Sequence, residues 1–256
     1  MKYSGQRIRK QELIFPNSNR AQLVAPPSGT RAADILQALG IEKPKGLIVI
    51  LGGAANLDDA LMSPLVQLFS RGIAPTAARL GAAIIDGGTQ AGVMAIMGQG
   101  VADRGRKSVL LGVAPAGKVT YPGRQSEGSV SDSTPLDPNH SHFVLVESNE
   151  WGGETDTMFQ LAQALAEATL VLVVLANGGT IAKGEVLRSV RQGWPIIVVE
   201  GSGGLANEIA ELYGNRRPFP DDPVLAEIVT DGNIHLIPLS GSIGEIERLI
   251  AHQFEL

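Results

Sequence analysis

Cysteine is absent from all 256 residues, which excludes disulfides, thiolate catalysis and cysteine-held metals before any motif is considered. Positive charge is scarce as well: Lys and Arg total 21 against 26 acidic residues, for a formal net charge of -5 and a pI near 5.4. No summed positive field covers the surface, so duplex nucleic acid is not an expected partner. A single mononucleotide stays within reach, because backbone N–H groups at a helix start hold a phosphate without a basic surface. Long apolar runs are missing too. The longest, from Leu170 to Ala176, is of strand length and far short of the roughly 18 residues of a membrane span. The N-terminal stretch MKYSGQRIRKQELIF has no apolar core of the kind a secretory signal needs. Cytoplasm is the expected location.

What the chain does have is aliphatic bulk and glycine. Hydrophobic residues make up 44%, aromatics only 4%, and there are 31 glycines. Such a balance suits strands covered by helices on both faces. Residues 1–45 read as an N-terminal extension packed on the core, with a strand at Glu12–Phe15 or Gln22–Ala25 and a helix from Arg31 to Leu39 closed by Gly40. From residue 46 to 256 the pattern is regular. Short aliphatic runs begin at Leu47, Ala82, Val109, Phe143, Leu170, Ile196 and Ile234, and helical stretches fall between them near 57–71, 74–80, 92–104, 155–167, 184–192, 205–213 and 223–230, with a last one at 243–253. This alternation predicts an α/β fold with right-handed crossovers and a mainly parallel sheet, whose ligand crevice lies beyond the strand ends. One polar stretch, 116–139, breaks the rhythm and reads as a loop that closes over a ligand.

Four of the expected strand ends carry glycine turns: Gly52-Gly53-Ala54-Ala55-Asn56, Asp86-Gly87-Gly88-Thr89-Gln90-Ala91-Gly92-Val93, Asn177-Gly178-Gly179-Thr180 and Gly201-Ser202-Gly203-Gly204. Glycine lets the backbone approach a ligand and present its N–H groups, and Thr89, Thr180 and Ser202 add hydroxyls. Each turn taken alone is equally well read as a tight connection. None matches the dinucleotide G-x-G-x-x-G with its distant acid, or the phosphate loop ending in G-K-[ST]. Nicotinamide redox chemistry and NTP hydrolysis therefore rank low, and no cofactor is expected.

Other polar residues leave alternatives open. His140 and His142 precede a strand, but without a third ligand fixed by spacing they indicate no metal. In an extended stretch they share a side, so that one bonds a neighbouring loop while His142 faces the crevice. Glu154 and Glu185 sit near expected helix starts, where a carboxylate either caps the helix or meets a ribose hydroxyl or cation. Tyr121 and Trp151 offer stacking surfaces near the long loop, and Arg124 is a candidate phosphate contact.

The glycine turns, together with Phe69-Ser70-Arg71-Gly72, Gly112-Val113-Ala114-Pro115-Ala116-Gly117 and Asp137-Pro138-Asn139-His140-Ser141-His142-Phe143, resemble the SLOG domain of melastatin-type TRP channels and its stand-alone prokaryotic LSDAT versions. The resemblance implies a Rossmann-like three-layer sandwich related to the LOG and DprA proteins. It also implies a cytosolic module that senses a nucleotide or NAD-derived signal such as ADP-ribose or cyclic ADP-ribose. Carried onto this chain, ligand-facing positions are Gly53, Ala54, Asn56, Gly88, Thr89, Gly92, Gly201, Ser202 and Gly203. Val93, Gly179, Thr180 and His142 join them, and the loop bearing Tyr121 and Arg124 is the lid. A homo-oligomer or a separate effector would transmit the signal. LOG enzymes, which cleave nucleotide N-glycosidic bonds, carry P-G-G-x-G-T-x-x-E. Here the stretch from Asn177 to Glu185 keeps the first Gly-Gly and the Glu but lacks the Pro, the third Gly and the Thr. Hydrolysis, with Glu185 or Glu154 as acid or base, is the competing expectation.

Overall fold

The computed structural model describes residues 7–53, 59–124, 133–167, 169–214 and 220–254. In chain order its elements are the strands β1 (Arg9–Ile14) and β2 (Arg20–Ala25), α1 (Ala32–Leu39) and β3 (Gly46–Gly52). There follow α2 (Asp59–Gln67), a π-helical segment (Leu68–Ile73), α3 (Ala74–Leu80), β4 (Ala82–Asp86), α4 (Gly92–Asp103) and β5 (Leu110–Pro115). The short strands β6 (Val119–Thr120) and β7 (Thr134–Pro135) precede β8 (His142–Val146), α5 (Thr155–Ala166), β9 (Leu170–Ala176) and α6 (Thr180–Arg191). The chain continues through β10 (Ile196–Glu200), α7 (Gly204–Tyr213), α8 (Pro223–Asp231), β11 (Ile234–Pro238) and α9 (Ile243–Phe254).

These strands build a nine-stranded sheet in the order β1-β2-β8-β5-β4-β3-β9-β10-β11. All neighbours are parallel except the β1–β2 hairpin, so both candidate N-terminal strands form and extend the sheet at one edge. The central strands read as unbroken apolar runs because both faces are covered: every residue of β4 and β5 is buried. One face packs under α1 and α5–α8, around Val49, Leu175 and Leu161. The other packs under α2–α4 and α9, around Ile48, Phe69 and Val174. The result is the three-layer Rossmann-like sandwich, with β4 as the middle strand and β3 beside it.

Strand order also fixes where a ligand site can form. From β3 the chain winds outward through β4, β5 and β8, then returns to the other flank of β3 as β9, in register from Gly46↔Leu170 to Gly52↔Ala176. The connections leaving β3 and β9 run to opposite faces, so their carboxyl ends splay apart at a topological switch point. Close approach there depends on Gly52, where a side chain would strike the Ala176 carbonyl and the Val93 methyls.

Two local expectations required correction. The helix expected from residue 57 to 71 continues through the π segment into α3, because Pro75 has no N–H to return to Arg71 and the widened turn absorbs the loss. The helix expected from residue 184 starts at Thr180 instead. Glycine and threonine are poor helix formers in isolation, yet Gly179 turns the chain directly from β9 into α6. That shift places a helix start at the glycine turn and moves Glu185 into the second turn.

Candidate ligand-binding site

A cavity of about 960 Å³ opens at the switch point. Its floor is the end of β3 from Ile50 to Gly53 and the β9–α6 turn from Asn177 to Thr180. Gly87, Thr89, Ala91 and Met94 form one wall, Glu154, Met158, Ala182 and Glu185 another. Trp151 and Ile181, 37% and 43% exposed, stand at the rim. The volume suits a drug- or nucleoside-sized molecule.

Two carboxylates face this space. Glu154 is the residue before α5, but its side chain makes no capping bond to that helix. Its pKa is raised by burial, an effect partly offset by the backbone N–H groups of Glu154 and Gly152. Glu185 is buried in α6 and accepts a 3.1 Å hydrogen bond from the Thr155 hydroxyl, a contact spanning thirty residues of sequence. Burial above all, with a contribution from the Glu154 charge, pushes its pKa up to about 7, against the bond from Thr155 and the charge of Arg188. Oε2 of Glu154 and the Thr89 hydroxyl are buried with no hydrogen-bond partner among the described residues. Buried polar atoms are nearly always paired, and these are the two orphaned side-chain atoms of the cavity lining among the described residues.

The glycine turns differ in what they still offer. In the turn after β10, Gly201 and Gly203 both donate to Oδ1 of Asn207. Leu205 and Ala206 at the start of α7 donate to the carbonyls of Gly178 and Asn177. Ser202 is fully buried, accepting from the Asn177 N–H at 2.8 Å and donating to the Val199 carbonyl at 2.6 Å. These donors hold the β9 and β10 turns against each other, and Gly201 and Ser202 lie outside the cavity lining while Gly203 is in it. After β4, the N–H groups of Gly88, Gln90 and Val93 go to Asp86, the Pro135 carbonyl and the Gly53 carbonyl. Gly88, with φ of +69°, lies too close to Gly112 to carry a side chain. Gly88, Gly92 and Val93 do not line the cavity. By contrast α6 has no side-chain cap, and its first residues Thr180, Ile181 and Ala182 line the cavity directly.

Of the remaining expected site residues, Gly53, Thr89, Gly179 and Thr180 are brought together with Glu154 and Glu185. Ala54 and Asn56 lie outside the described residues. Tyr121 and Arg124 line a separate recess of about 450 Å³ with Phe15, Pro122, Pro135 and Pro138, where the guanidinium lies 5.8 Å from the Tyr121 ring centre. Thr134, from the same long connection, does reach the main cavity. His142 pairs beside Gln22 of β2, away from the crevice, and burial, aided by the Lys10 charge, lowers its pKa to about 4. The expectation that the two imidazoles share a side fails because residues 138–141 turn before β8 begins.

His140 instead anchors a buried clasp. Its Nε2 lies 2.8 Å from Oδ1 of Asp86 and its Nδ1 3.0 Å from Oδ1 of Asp137, while its ring stacks on Phe143. Burial alone would lower its pKa, but the two carboxylates outweigh it and hold the imidazolium to about pH 9. Asn17 and Asn19 of the β1–β2 turn donate to Pro138, Asn139 and His140, tying the N-terminal hairpin to the same segment. Sequence reasoning missed Leu61, Met94, Met158 and Asn177 as lining residues. Met158 was detectable in principle, because it stands one helical turn after Glu154.

Comparison with known proteins accords with this architecture. Residues 45–243 match the family described as SLOG in TRPM, prokaryote. The chain belongs to this family. It is 31% identical over 221 residues to the transient receptor potential cation channel subfamily M member 2 of Mus musculus, covering 73% of this chain and 14% of that one. Against subfamily M member 5 of Homo sapiens it is 28% identical over 246 residues, 80% of this chain and 21% of the channel. Against the channel trpm of Drosophila melanogaster it is 27% identical over 239 residues, 80% of this chain and 12% of the channel. This SLOG chain thus spans a small share of each channel, and among the described residues no helix is long and apolar enough to cross a membrane. A ligand-binding or regulatory domain is the role that fits the family.

Proposed function

We propose that the switch-point cavity binds a nucleotide or a nucleotide-derived signal, the class to which ADP-ribose and cyclic ADP-ribose belong, and that the protein is a cytoplasmic sensor without a cofactor. The observation carrying this reading is the cavity itself. Glycine turns and an uncapped helix start meet apolar walls and two unpartnered buried polar atoms at the place where doubly wound sheets hold ligands. Output passes through self-association or a separate effector protein. The test is thermal unfolding with ADP-ribose, cyclic ADP-ribose, NAD and AMP. A ligand at a hundred times its dissociation constant stabilises by about 2.7 kcal/mol. Failure of all four to shift the transition sinks the proposal.

A second reading rests on Glu185, a buried carboxyl whose pKa of about 7 lies near working pH, in the same cavity as a second glutamate. Such a pair suits general acid–base hydrolysis of an N-glycosidic bond. Water would add at the anomeric carbon, the C–N bond would break, and the base would leave with a proton. Free base that appears with the native chain and disappears with Glu185→Gln supports this reading; ligand recovered intact rules it out.

A further inference from the structure

The segment from Asp137 to His140 lines no part of the cavity, yet it carries one of the cavity walls. That wall, with Gly87, Thr89 and Ala91, is the connection between β4 and α4 and has no regular structure of its own. Backbone bonds fix it to residues 135–137. Asp137 N–H donates to the Gly88 carbonyl at 2.9 Å, Gln90 N–H donates to the Pro135 carbonyl at 2.7 Å, and Thr89 forms an antiparallel bridge with Leu136. The two stretches alternate, so that Thr89, Ala91 and Thr134 line the cavity while Gln90, Pro135 and Leu136 line the recess of Tyr121. His140 locks the base of this ladder. Oδ1 of Asp86 accepts from the Gly88 N–H at 2.7 Å and from His140 Nε2 at 2.8 Å, and Nδ1 of His140 reaches Asp137 at 3.0 Å, all three side chains being buried. From the hairpin, Asn19 donates to the carbonyls of Pro138 and His140 at 2.9 and 2.8 Å.

Resting on the reading that the cavity takes a nucleotide-type ligand, we infer that His140 is a positioning residue for that ligand: its clasp holds the Thr89 wall in the binding geometry, and opening the clasp lowers affinity. Only an imidazolium donates from both nitrogens, whereas a neutral ring turns a lone pair toward one of the two carboxylates. The charged groups acting on the ring are Asp86 from β4 and Asp137 from its own segment. The other elements packed here face the clasp with Phe143 from β8, Gly98 from α4, where a side chain would strike Asp137, and Asn17 and Asn19 from the hairpin, while Arg106 bonds Oδ1 of Asn139 at 3.0 Å. Against the lowering effect of burial, the two carboxylates keep the ring protonated to about pH 9. Affinity is therefore full at neutral pH and falls as pH rises through 9. Linkage is reciprocal, so a ligand that requires the closed clasp raises the His140 pKa by the factor by which deprotonation weakens its binding.

Calorimetric titration of the full chain with ADP-ribose, cyclic ADP-ribose, NAD and AMP tests the inference, in a pH window above the Glu185 transition near 7. A ligand that binds at about pH 8 is expected to lose about fivefold or more in affinity at about pH 10. Its saturation should raise the midpoint of the His140 imidazole titration, followed by NMR, by about one pH unit. His140→Gln should bind weakly throughout, with no drop between the two pH values. Asp137→Asn provides a second arm that preserves the fold, since it keeps the shape and the acceptor oxygen while removing one charge. It should move the drop in affinity to lower pH, which a purely structural role would not do. Equal native affinity at both pH values, or a drop that Asp137→Asn leaves in place, overturns the inference while the nucleotide-sensor proposal stands. Binding of none of the four ligands overturns both.

Discussion

Two groups of buried carboxylates lie on either side of the turn after β4, and they are neutralised in opposite ways. Asp86 and Asp137 enclose His140, which donates from both ring nitrogens and leaves only Oδ2 of Asp86 without a partner in that group among the described residues. Glu154 and Glu185 line the cavity with no cation between them among its described lining residues, and Oε2 of Glu154 has no partner there. The first arrangement closes on itself and fastens strands and hairpin together. The second stays open to the cavity. Buried charge is thus a structural device where the protein supplies the counter-charge; where it does not, a perturbed carboxyl in a cleft is the feature on which the proposed function rests.

The comparison breaks most sharply at His140. His140→Ala should cost about 3–5 kcal/mol in urea unfolding, because two buried carboxylates lose their partner. Glu154→Gln, which removes an uncompensated charge, should be neutral or stabilising in the same assay. Equal losses from the two substitutions would show that the groups are not different in kind.

A pH series sharpens the contrast. His140 has a folded pKa of about 9, raised from 6.5. Its stabilising contribution is complete below pH 6.5 and is lost as pH rises through 9. Glu185 is also raised, from 4.5 to about 7, but for the opposite reason, since burial favours its neutral form. Its contribution is complete below pH 4.5 and fades as pH rises through 7. Stability of the native chain should therefore fall in two windows, by up to roughly 3 kcal/mol in each. Glu185→Gln is expected to flatten the lower window alone. If it flattens the upper one instead, the assignment is wrong.

Smaller effects follow at the turn itself and at the rim. Gly88→Ala should destabilise by about 1–3 kcal/mol in thermal unfolding, from its positive φ and the contact with Gly112. Trp151→Ala, at the cavity rim and 37% exposed, should cost no more than about 1 kcal/mol of stability yet weaken ligand binding measured by titration.

Much of the architecture was legible in advance because the signals are local. Unbroken runs such as Leu170–Ala176 and the helical spacing between them need no knowledge of the partner strand, and Gly40 ends α1 as a glycine in the left-handed conformation should. Local reading went astray where a residue type argues against its own surroundings. The start of α6 is built from Gly179 and Thr180, and the widened turn before α3 follows from Pro75 meeting a helix that does not stop. Among the site residues, Gly53, Thr89, Gly179, Thr180, Glu154 and Glu185 share one cavity. Gly201 and Ser202 resembled them in sequence, but a glycine turn looks the same whether its N–H groups face a ligand or, as here, the side chain of Asn207 and the Val199 carbonyl of the strand it leaves.

The amino-acid sequence by itself determined the alternation of strand and helix, the parallel sheet and the SLOG family, because apolar periodicity and motif order are properties of the chain read along its length. Only the tertiary structure decided that His140 would be enclosed by Asp86 and Asp137, and that Thr155 would bring α5 against Glu185 across thirty residues. Those contacts depend on strand order. β9 returns to the far flank of β3, and which buried carboxylates then meet a counter-charge is settled by packing between segments that carry no mark of one another in sequence.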